Sequence, residues 1–212
     1  FQAIPHTFQG SENDWDSFRI PQRPQEENGT AHISIVDSKG NILSFTTSIE
    51  QAFGSKLMVH GFLLNNQLTD FSFIPAENGF KIANRAEPGK RPRSSMTPTI
   101  IFDANGKPTY VLGSAGGSRI IGYVLKTIIA MIDWNMPISE ALAMPHFVSR
   151  SQEPEIDLST ALSDLKPALE ERGYKVNLTK MNSGLTGITL KDRRLYGSAD
   201  PRREGTAKGD KN

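Results

Sequence analysis

The chain has 212 residues, no cysteine and nearly balanced charge, with 24 Lys and Arg against 23 Asp and Glu. This balance gives no support to a nucleic-acid-binding or polybasic membrane protein, because those proteins concentrate positive charge on one face. The absence of cysteine excludes disulfides, thiolate metal sites and a cysteine nucleophile.

Residues 1–29 differ in composition from the rest of the chain. They hold three prolines, two basic and five acidic residues, and no helical or strand periodicity. Such a composition predicts a disordered arm or linker. The sequence therefore predicts a boundary at Gly29, followed by a folded domain whose tail, from about residue 191, lies on the surface. No segment approaches the roughly 18 uninterrupted apolar residues of a membrane-spanning helix.

From Thr30 onward the pattern becomes that of β-strands. His32–Val36 and Ile42–Ser48 flank a turn-forming stretch, which predicts a hairpin. Leu57–Leu64 is a further apolar stretch, whereas Phe71–Pro92 is rich in proline and glycine and predicts loops.

The second half of the chain combines short strands with helices. Ile120–Ile132 carries apolar residues at helical spacing over a wide face, which predicts a helix largely buried against a sheet. The other predicted elements are strands at Thr99–Phe102 and Thr109–Leu112, a helix near Ser139–Ala143, a helix over about Thr160–Arg172, and strands near Val176–Leu178 and Thr186–Leu190. Within the Thr160–Arg172 helix, Pro167 must either cause a kink or lie in a first turn. Paired strands beside a long helix predict an α+β or layered α/β domain.

The composition break itself, at Gly29 and Thr30, is the first of four candidate sites. A threonine at the start of a strand is ordinarily only a good β-former. The alternative is a self-cleavage site, because Gly29 has no side chain to block attack by the Thr30 hydroxyl. Cleavage would free the Thr30 amine to act as base for its own hydroxyl. These residues alone leave both interpretations open.

Three polar loops are the other candidates, each with a structural alternative. The glycine-rich loop Gly113–Ser118, before the long helix, suits an oxyanion or simply a tight turn. It lacks the Lys-Ser/Thr ending of a nucleotide-binding loop. Ser94 and Ser95, after a proline, suit a carboxylate or an ordinary exposed loop. Asn65–Gln67 with Asp70 suits an ammonium group or a polar turn.

The order of these clusters is more specific than any one of them. Six segments, in this order, resemble the γ-glutamyltranspeptidase family over about residues 25–204: Thr30–His32, Thr46–Gly54, Leu63–Phe71, Lys90–Thr99, Gly113–Ile120 and Leu195–Arg202.

The resemblance implies an α+β N-terminal-nucleophile hydrolase, a four-layer αββα sandwich of which this chain supplies part. It implies a precursor that cleaves itself between Gly29 and Thr30, so that residues 1–29 end the large-subunit region and residues 30–212 form the catalytic small subunit. The implied partners are the large subunit and a small γ-glutamyl substrate such as glutathione, with no cofactor or metal. It also implies a periplasmic or secreted protein.

The resemblance assigns roles to residues by position. The implied site residues are Thr30 as nucleophile, Ser48 bonded to its hydroxyl, Gly116 and Gly117 as oxyanion donors, Glu50, Gln67 and Asp70 around the substrate ammonium, and Ser94 and Ser95 at its α-carboxylate.

Three positions depart from the usual family pattern. Ser48 and Ala31 stand where threonine is common, and Arg93 stands where an apolar residue is usual. The charge of Arg93 could favour a more acidic substrate or could point to solvent. The sequence leaves open whether Ser72–Gly89 forms a lid, which donor and acceptor the protein uses, whether hydrolysis or transfer dominates, and what lies upstream of Phe1.

Three functions therefore stay open. The first is a γ-glutamyltransferase or hydrolase acting through a γ-glutamyl-threonine ester. The second keeps this chemistry but changes the substrate, as in a cephalosporin or glutaryl acylase or a poly-γ-glutamate-processing relative. The third is an inactive or unprocessed fragment that acts as a binding or structural unit.

Overall fold

The computed structural model describes residues 29–150, 153–158 and 160–209. The predicted arm up to residue 28 lies outside the described residues. The described chain divides into two units, one of residues 68–93 and the other of residues 29–67 and 94–209.

The strands and helices are numbered in chain order. The strands are β1 Thr30–Val36, β2 Ile42–Ser48, β3 Met58–Val59, β4 Phe62–Leu63, β5 Ala76–Glu77, β6 Phe80–Lys81, β7 Thr99–Phe102, β8 Pro108–Gly113, β9 Phe147–Val148, β10 Glu155–Asp157, β11 Asn177–Thr179, β12 Thr186–Lys191 and β13 Arg194–Ala199. The helices are α1 Ile120–Ile132, α2 Ile138–Ala143 and α3 Lys166–Glu170.

The larger unit is built on a four-stranded antiparallel sheet in the order β13-β12-β8-β7. The β1–β2 hairpin packs against β8 and β12. A separate sheet has the order β11-β10-β9, with β10 parallel to β11 and antiparallel to β9. The core lies between the main sheet and the helices α1 and α2, and its fully buried side chains include Leu112, Ile120, Tyr123, Val124, Met131 and Leu142.

The β1–β2 hairpin turns its polar face inward. Alternate residues of a strand point to opposite faces. The inward set includes Thr30, His32, Ser34, Ser44, Thr46 and Ser48. The outward set includes Ile33, Ile35, Leu43 and Phe45, each 45–48% exposed. The hairpin therefore carries hydroxyls into the domain and presents an apolar face outside it.

The smaller unit, residues 68–93, contains the two-stranded hairpin β5–β6. Asn78 and Gly79 form its turn with positive φ angles of 49° and 82°. Within this unit, Glu87 forms ion pairs with Arg85 and Lys90, and the Lys90 Nζ to Glu87 Oε2 distance is 2.8 Å. The segment Ser72–Gly89, for which the sequence leaves a lid role open, falls in this unit.

Most predicted elements are confirmed, and the bounds of β2, β7 and α1 are those predicted. The predicted helix over Thr160–Arg172 is wrong as a single element. A 3-10 turn at Ala161–Leu165 precedes α3, which places Pro167 in the first turn of the helix. This break follows from proline chemistry, because proline has no N–H to donate inside a helix.

Two further expectations differ from the structure. α1 is less buried in this chain than predicted, because Ile121, Leu125 and Ile132 are about half exposed on its outer side. The sequence predicts only a surface position for the segment after residue 191. Residues 194–199 instead form the mostly exposed edge strand β13, and Asp200 after it is buried.

Candidate functional site

The hydroxyls of Thr30 and Ser48 lie next to each other at the open end of the β1–β2 hairpin. The hairpin register places the two residues opposite each other, and Thr30 Oγ1 is 2.9 Å from Ser48 Oγ. The Glu50 N–H donates to Ser48 Oγ at 2.9 Å. Because the serine oxygen already accepts this bond, its own proton is available for Thr30 Oγ1. The pair thus orients the Thr30 oxygen and can stabilise negative charge on it.

The peptide bond before Thr30 lies in a confined backbone site. The Gly29 carbonyl accepts a hydrogen bond from Ile49 N–H at 2.9 Å. A Cβ atom on residue 29 would lie 2.6 Å from the Gln51 carbonyl oxygen and 2.8 Å from that of Glu50. Real Cβ atoms do not approach backbone so closely, so only glycine fits before Thr30.

Glu50 follows the hairpin and contacts the predicted polar loop. Its side chain is 7% exposed, and Gln67 Nε2 donates to Glu50 Oε2 at 3.3 Å. Its φ angle of 72° is uncommon outside glycine, and such conformations cluster at functional sites. Asn66 adds backbone contacts, since Asn66 Oδ1 accepts from Gln51 N–H at 3.1 Å. Two predicted site residues, Glu50 and Gln67, are therefore together.

The other three predicted substrate-binding residues are Asp70, Ser94 and Ser95. Asp70 belongs to the other unit, where its backbone carbonyl accepts from Asn84 Nδ2 at 2.6 Å. Ser94 Oγ accepts from Met96 N–H at 3.2 Å, and among the described residues no hydrogen bond links Ser94 or Ser95 to Thr30. Their roles stay predictions.

The glycine-rich loop connects the end of β8 to α1 through a 3-10 turn at residues 117–119. Gly116 has a φ of 130° and Gly117 a φ of 61°, and Gly117 is buried. A Cβ atom on residue 116 would lie 2.5 Å from Cε2 of Tyr123. Successive residues with such φ values can turn their N–H groups toward one concavity, the usual form of a backbone anion site.

His32 in the hairpin contacts Gly113 at the start of this loop. The sequence patterns do not predict this contact. Its ring lies where a Cβ atom on Gly113 would be, 2.3 Å from the histidine Cε1. His32 Nδ1 is 2.7 Å from Thr46 Oγ1, and Nε2 is 3.1 Å from Ser34 Oγ. Burial lowers the pKa of His32 to about 4, so the imidazole is neutral at pH 7. The only sequence signal is its place two residues after Thr30.

The described residues contain no cluster of three or more His, Asp or Glu side chains arranged to bind a metal ion. The larger unit holds both the Thr30–Ser48 hydroxyl pair and the glycine-rich loop at Gly116 and Gly117. A hydroxyl and backbone N–H groups are the kinds of group that acyl transfer uses.

Comparison with known proteins places the chain in a protein family. The gamma-glutamyltranspeptidase family profile matches residues 3–210. The chain belongs to the gamma-glutamyltranspeptidase family. It is 36% identical over 200 residues to the glutathione hydrolase proenzyme of Bacillus subtilis, covering 91% of this chain and 33% of that protein. The chain thus spans about a third of the length of the curated relatives that it matches.

Solved structures agree with the predicted fold. A mutant of Helicobacter pylori gamma-glutamyltranspeptidase superposes with a TM-score of 0.72 at 38% identity, covering 81% of this chain and 99% of that one. The fold is accordingly the α+β fold of N-terminal-nucleophile hydrolases. A cephalosporin acylase from Bacillus halodurans has a TM-score of 0.71 at 22% identity, over 84% of this chain and 34% of that one, and shares the fold alone. None of the described helices is long and apolar enough to cross a membrane.

Proposed function

We propose that this chain is the catalytic part of a γ-glutamyl hydrolase and transferase that acts on γ-glutamyl amides such as glutathione. The observation that carries the proposal is the hydrogen bond between the hydroxyls of Thr30 and Ser48. Thr30 directly follows Gly29, where only glycine fits. Family membership supports the same chemistry.

The first step in this proposal is self-cleavage before Thr30. The Thr30 oxygen attacks the Gly29 carbonyl carbon, the C–N bond breaks, and the Thr30 nitrogen takes up the proton. The resulting ester is hydrolysed by water, which leaves a carboxylate on Gly29 and a free amine on Thr30. Ile49 N–H already donates to the oxygen on which negative charge develops, at 2.9 Å. Such a donor stabilises the tetrahedral intermediate.

The second step is γ-glutamyl transfer to the same oxygen. The freed amine of Thr30 removes the proton from its own hydroxyl, and the oxygen attacks the γ-carbonyl of the substrate. Gly116 and Gly117 donate N–H groups to the oxyanion, and each well-placed donor contributes about 3 kcal/mol. The amine leaves with a proton, and water or an acceptor amine then takes the γ-glutamyl group from the ester.

Substrate recognition depends on charge at the α-carbon of the γ-glutamyl group. Glu50 and Gln67, which contact each other, offer a carboxylate and an amide oxygen to the α-ammonium. We propose that Asp70 joins them and that Ser94 and Ser95 donate to the α-carboxylate. A glutaryl amide lacks the ammonium, so this arrangement discriminates against acylase substrates.

We also propose that the large-subunit region of the same precursor covers the exposed apolar faces of this chain. The outward side of the β1–β2 hairpin and the outer side of α1 together expose seven large apolar side chains: Ile33, Ile35, Leu43, Phe45, Ile121, Leu125 and Ile132. Exposed apolar surface grouped on one face of an element typically marks a protein interface. The proenzyme relatives, which are about three times as long as the matched region, support this choice of partner.

The proposal is tested with the Thr30→Ala variant of the full-length protein. The variant should stay uncleaved by intact mass spectrometry and should lose at least about 1,000-fold in turnover of γ-glutamyl-p-nitroanilide. Thr47→Ala, which removes the neighbouring outward-facing threonine of β2, is the matched control and should be cleaved and active.

Three results would contradict the proposal. Turnover that persists in the Thr30→Ala variant would exclude Thr30 as the nucleophile. A wild-type protein that hydrolyses glutaryl-p-nitroanilide but not the γ-glutamyl compound would favour the acylase and remove the role proposed for Asp70. A wild-type protein that never cleaves before Thr30 and turns over neither compound would instead favour the binding or structural alternative.

A further inference from the structure

A chain of buried polar side chains behind the glycine-rich loop is not used in the mechanism above. His146 Nε2 is 2.6 Å from Ser183 Oγ, and Ser183 Oγ donates to Asp200 Oδ2. His146 and Ser183 are both 0% exposed. Burial of polar groups is unfavourable unless they are hydrogen-bonded, so a connected chain at this depth has a structural or functional reason.

The protons in this chain can be assigned from chemistry. A carboxylate can only accept hydrogen bonds, so the single hydroxyl proton of Ser183 points to Asp200. His146 must then donate from Nε2, so a neutral ring carries its single proton on that atom. Burial, together with the nearby positive charges of Lys126 and Arg202, lowers the pKa of His146 to about 2, which agrees with a neutral ring.

The far end of the chain is fixed by an arginine. Asp200 Oδ1 accepts from Arg202 Nη1 at 3.1 Å and from Arg202 N–H at 2.9 Å. Arg202 Nη2 also donates to the Met144 carbonyl at 2.8 Å, just after α2. The chain is therefore anchored to a helix end and is not free to shift.

The near end supports the glycine-rich loop through the backbone next to Ser183. Gly184 N–H donates to the Ala115 carbonyl at 3.2 Å, and Ala115 N–H donates back to the Gly184 carbonyl at 3.4 Å. Gly184 N–H also lies 3.3 Å from Ser114 Oγ. Any displacement of Ser183 is thus transmitted to the residue directly before Gly116.

His146 also supports the glycine-rich loop through the ring of Tyr123. The His146 ring lies 4.2 Å, centroid to centroid, from the ring of Tyr123. The Tyr123 ring occupies the space that a side chain on Gly116 would need. His146 therefore acts on both supports of the loop, through Ser183 on one side and through Tyr123 on the other.

We propose that His146 and Ser183 are positioning residues that hold Ala115, Gly116 and Gly117 where the two glycine N–H groups meet the oxyanion. This proposal rests on the proposed function. It assigns the hydrogen bond between His146 and Ser183 a role in turnover, and neither side chain touches the substrate. Loss of the bond should lower kcat and leave KM nearly unchanged, because the misplaced donors act chiefly in the transition state.

The test uses four variants of the full-length protein, with rates expressed per cleaved chain as counted by intact mass. Ser183→Ala and His146→Phe both remove the bond, and the phenylalanine keeps a ring over Tyr123. We expect each to lower kcat by about 10- to 100-fold with KM within about twofold. His146→Gln keeps an N–H donor near the Nε2 position and should retain kcat within about threefold.

The matched control is Thr127→Val, which removes another fully buried hydroxyl. Thr127 Oγ1 donates to the Tyr123 backbone carbonyl within α1 at 2.9 Å, and Val keeps its shape. This variant should keep both kcat and KM within about twofold, since an isosteric change inside the helix leaves the loop supports in place.

Several outcomes would overturn the proposal. Unchanged kcat in Ser183→Ala and His146→Phe would do so, as would a His146→Gln variant that is as slow as His146→Phe. Failure of both loss variants to fold would also overturn it, because the network would then act on the whole fold. A wild-type protein without γ-glutamyl turnover would contradict the proposed function, and this proposal with it.

Discussion

The two parts of the candidate site are held in place by different physical means. Thr30 and Ser48 lie at the end of a two-stranded hairpin and are joined by hydroxyl hydrogen bonds in a half-buried position. Gly116 and Gly117 lie in a loop that is packed onto the buried ring of Tyr123. The position of Thr30 is thus set by strand register, and the positions of Gly116 and Gly117 are set by packing against the core.

This difference predicts different sensitivities to mutation. Loss of the Ser48 hydroxyl at the hairpin end removes its two hydrogen bonds, to Thr30 Oγ1 and from Glu50 N–H, and leaves the packing intact. Such a change should alter turnover more than stability. A change in the loop displaces core side chains, so it should alter both. Three measurements test whether the two parts of the site differ in this way.

Gly116→Ala should have the largest effect. The added Cβ would lie 2.5 Å from the Tyr123 ring at a φ of 130°, so either the ring or the loop must move. We expect kcat to fall by at least about 100-fold, as for the loss of an oxyanion donor, and the melting temperature to fall by several degrees.

The matched control is Gly106→Ala, in the turn between β7 and β8. Gly106 has a φ of 77°, but a Cβ atom added there would meet no other atom of the described residues within 4 Å, so this variant measures backbone strain without a clash. It should lose a few degrees of melting temperature and keep its kcat. An equal loss of kcat in both variants would mean that general strain, and not the contact with Tyr123, explains the loop effect.

Ser48→Ala should have an intermediate effect, confined to turnover. It removes the hydroxyl 2.9 Å from Thr30 Oγ1 and should lower kcat by about 10- to 100-fold, as expected for a hydrogen bond to a charged oxygen. Ser48→Thr keeps the hydroxyl and should be nearly as active as the wild type. A melting temperature that falls as far as that of Gly116→Ala would contradict the distinction between the two parts.

The sequence predicts the nucleophile end of the site better than the loop supports. Alternation and turn residues are local patterns, and they determine the hairpin that brings Thr30 opposite Ser48. The His146–Ser183 contact joins residues 37 positions apart, and the Ser183–Asp200 contact joins residues 17 positions apart. No local pattern specifies such pairs. The sequence also fails to predict β13, because this segment has little apolar periodicity of its own. Its pairing with β12 stabilises it as a strand.

Two buried histidines, one in each part of the site, should make the stability of the protein depend on pH. Burial lowers the pKa of His32 in the hairpin to about 4 and that of His146 behind the loop to about 2, from 6.5 for both. Below pH 6.5 the unfolded chain binds these protons and the folded chain does not, so stability is full above pH 6.5 and falls as the pH is lowered. Each histidine contributes about 1.4 kcal/mol per pH unit.

The window from pH 6.5 to 5 isolates this effect, because carboxylates with lowered pKa lose their contribution only near and below their ordinary value of 4.5. The melting temperature should fall across this window, and His146→Gln should remove about half of the slope, because it leaves only His32 to titrate. Thr127→Val, which removes a buried hydroxyl and no titratable group, is the control and should leave the slope unchanged. An unaltered slope in His146→Gln would mean that the ring behind the loop is already protonated in the folded protein. Nε2 of His146 would still donate to Ser183, but the glycine-rich loop would then be supported by a charged ring.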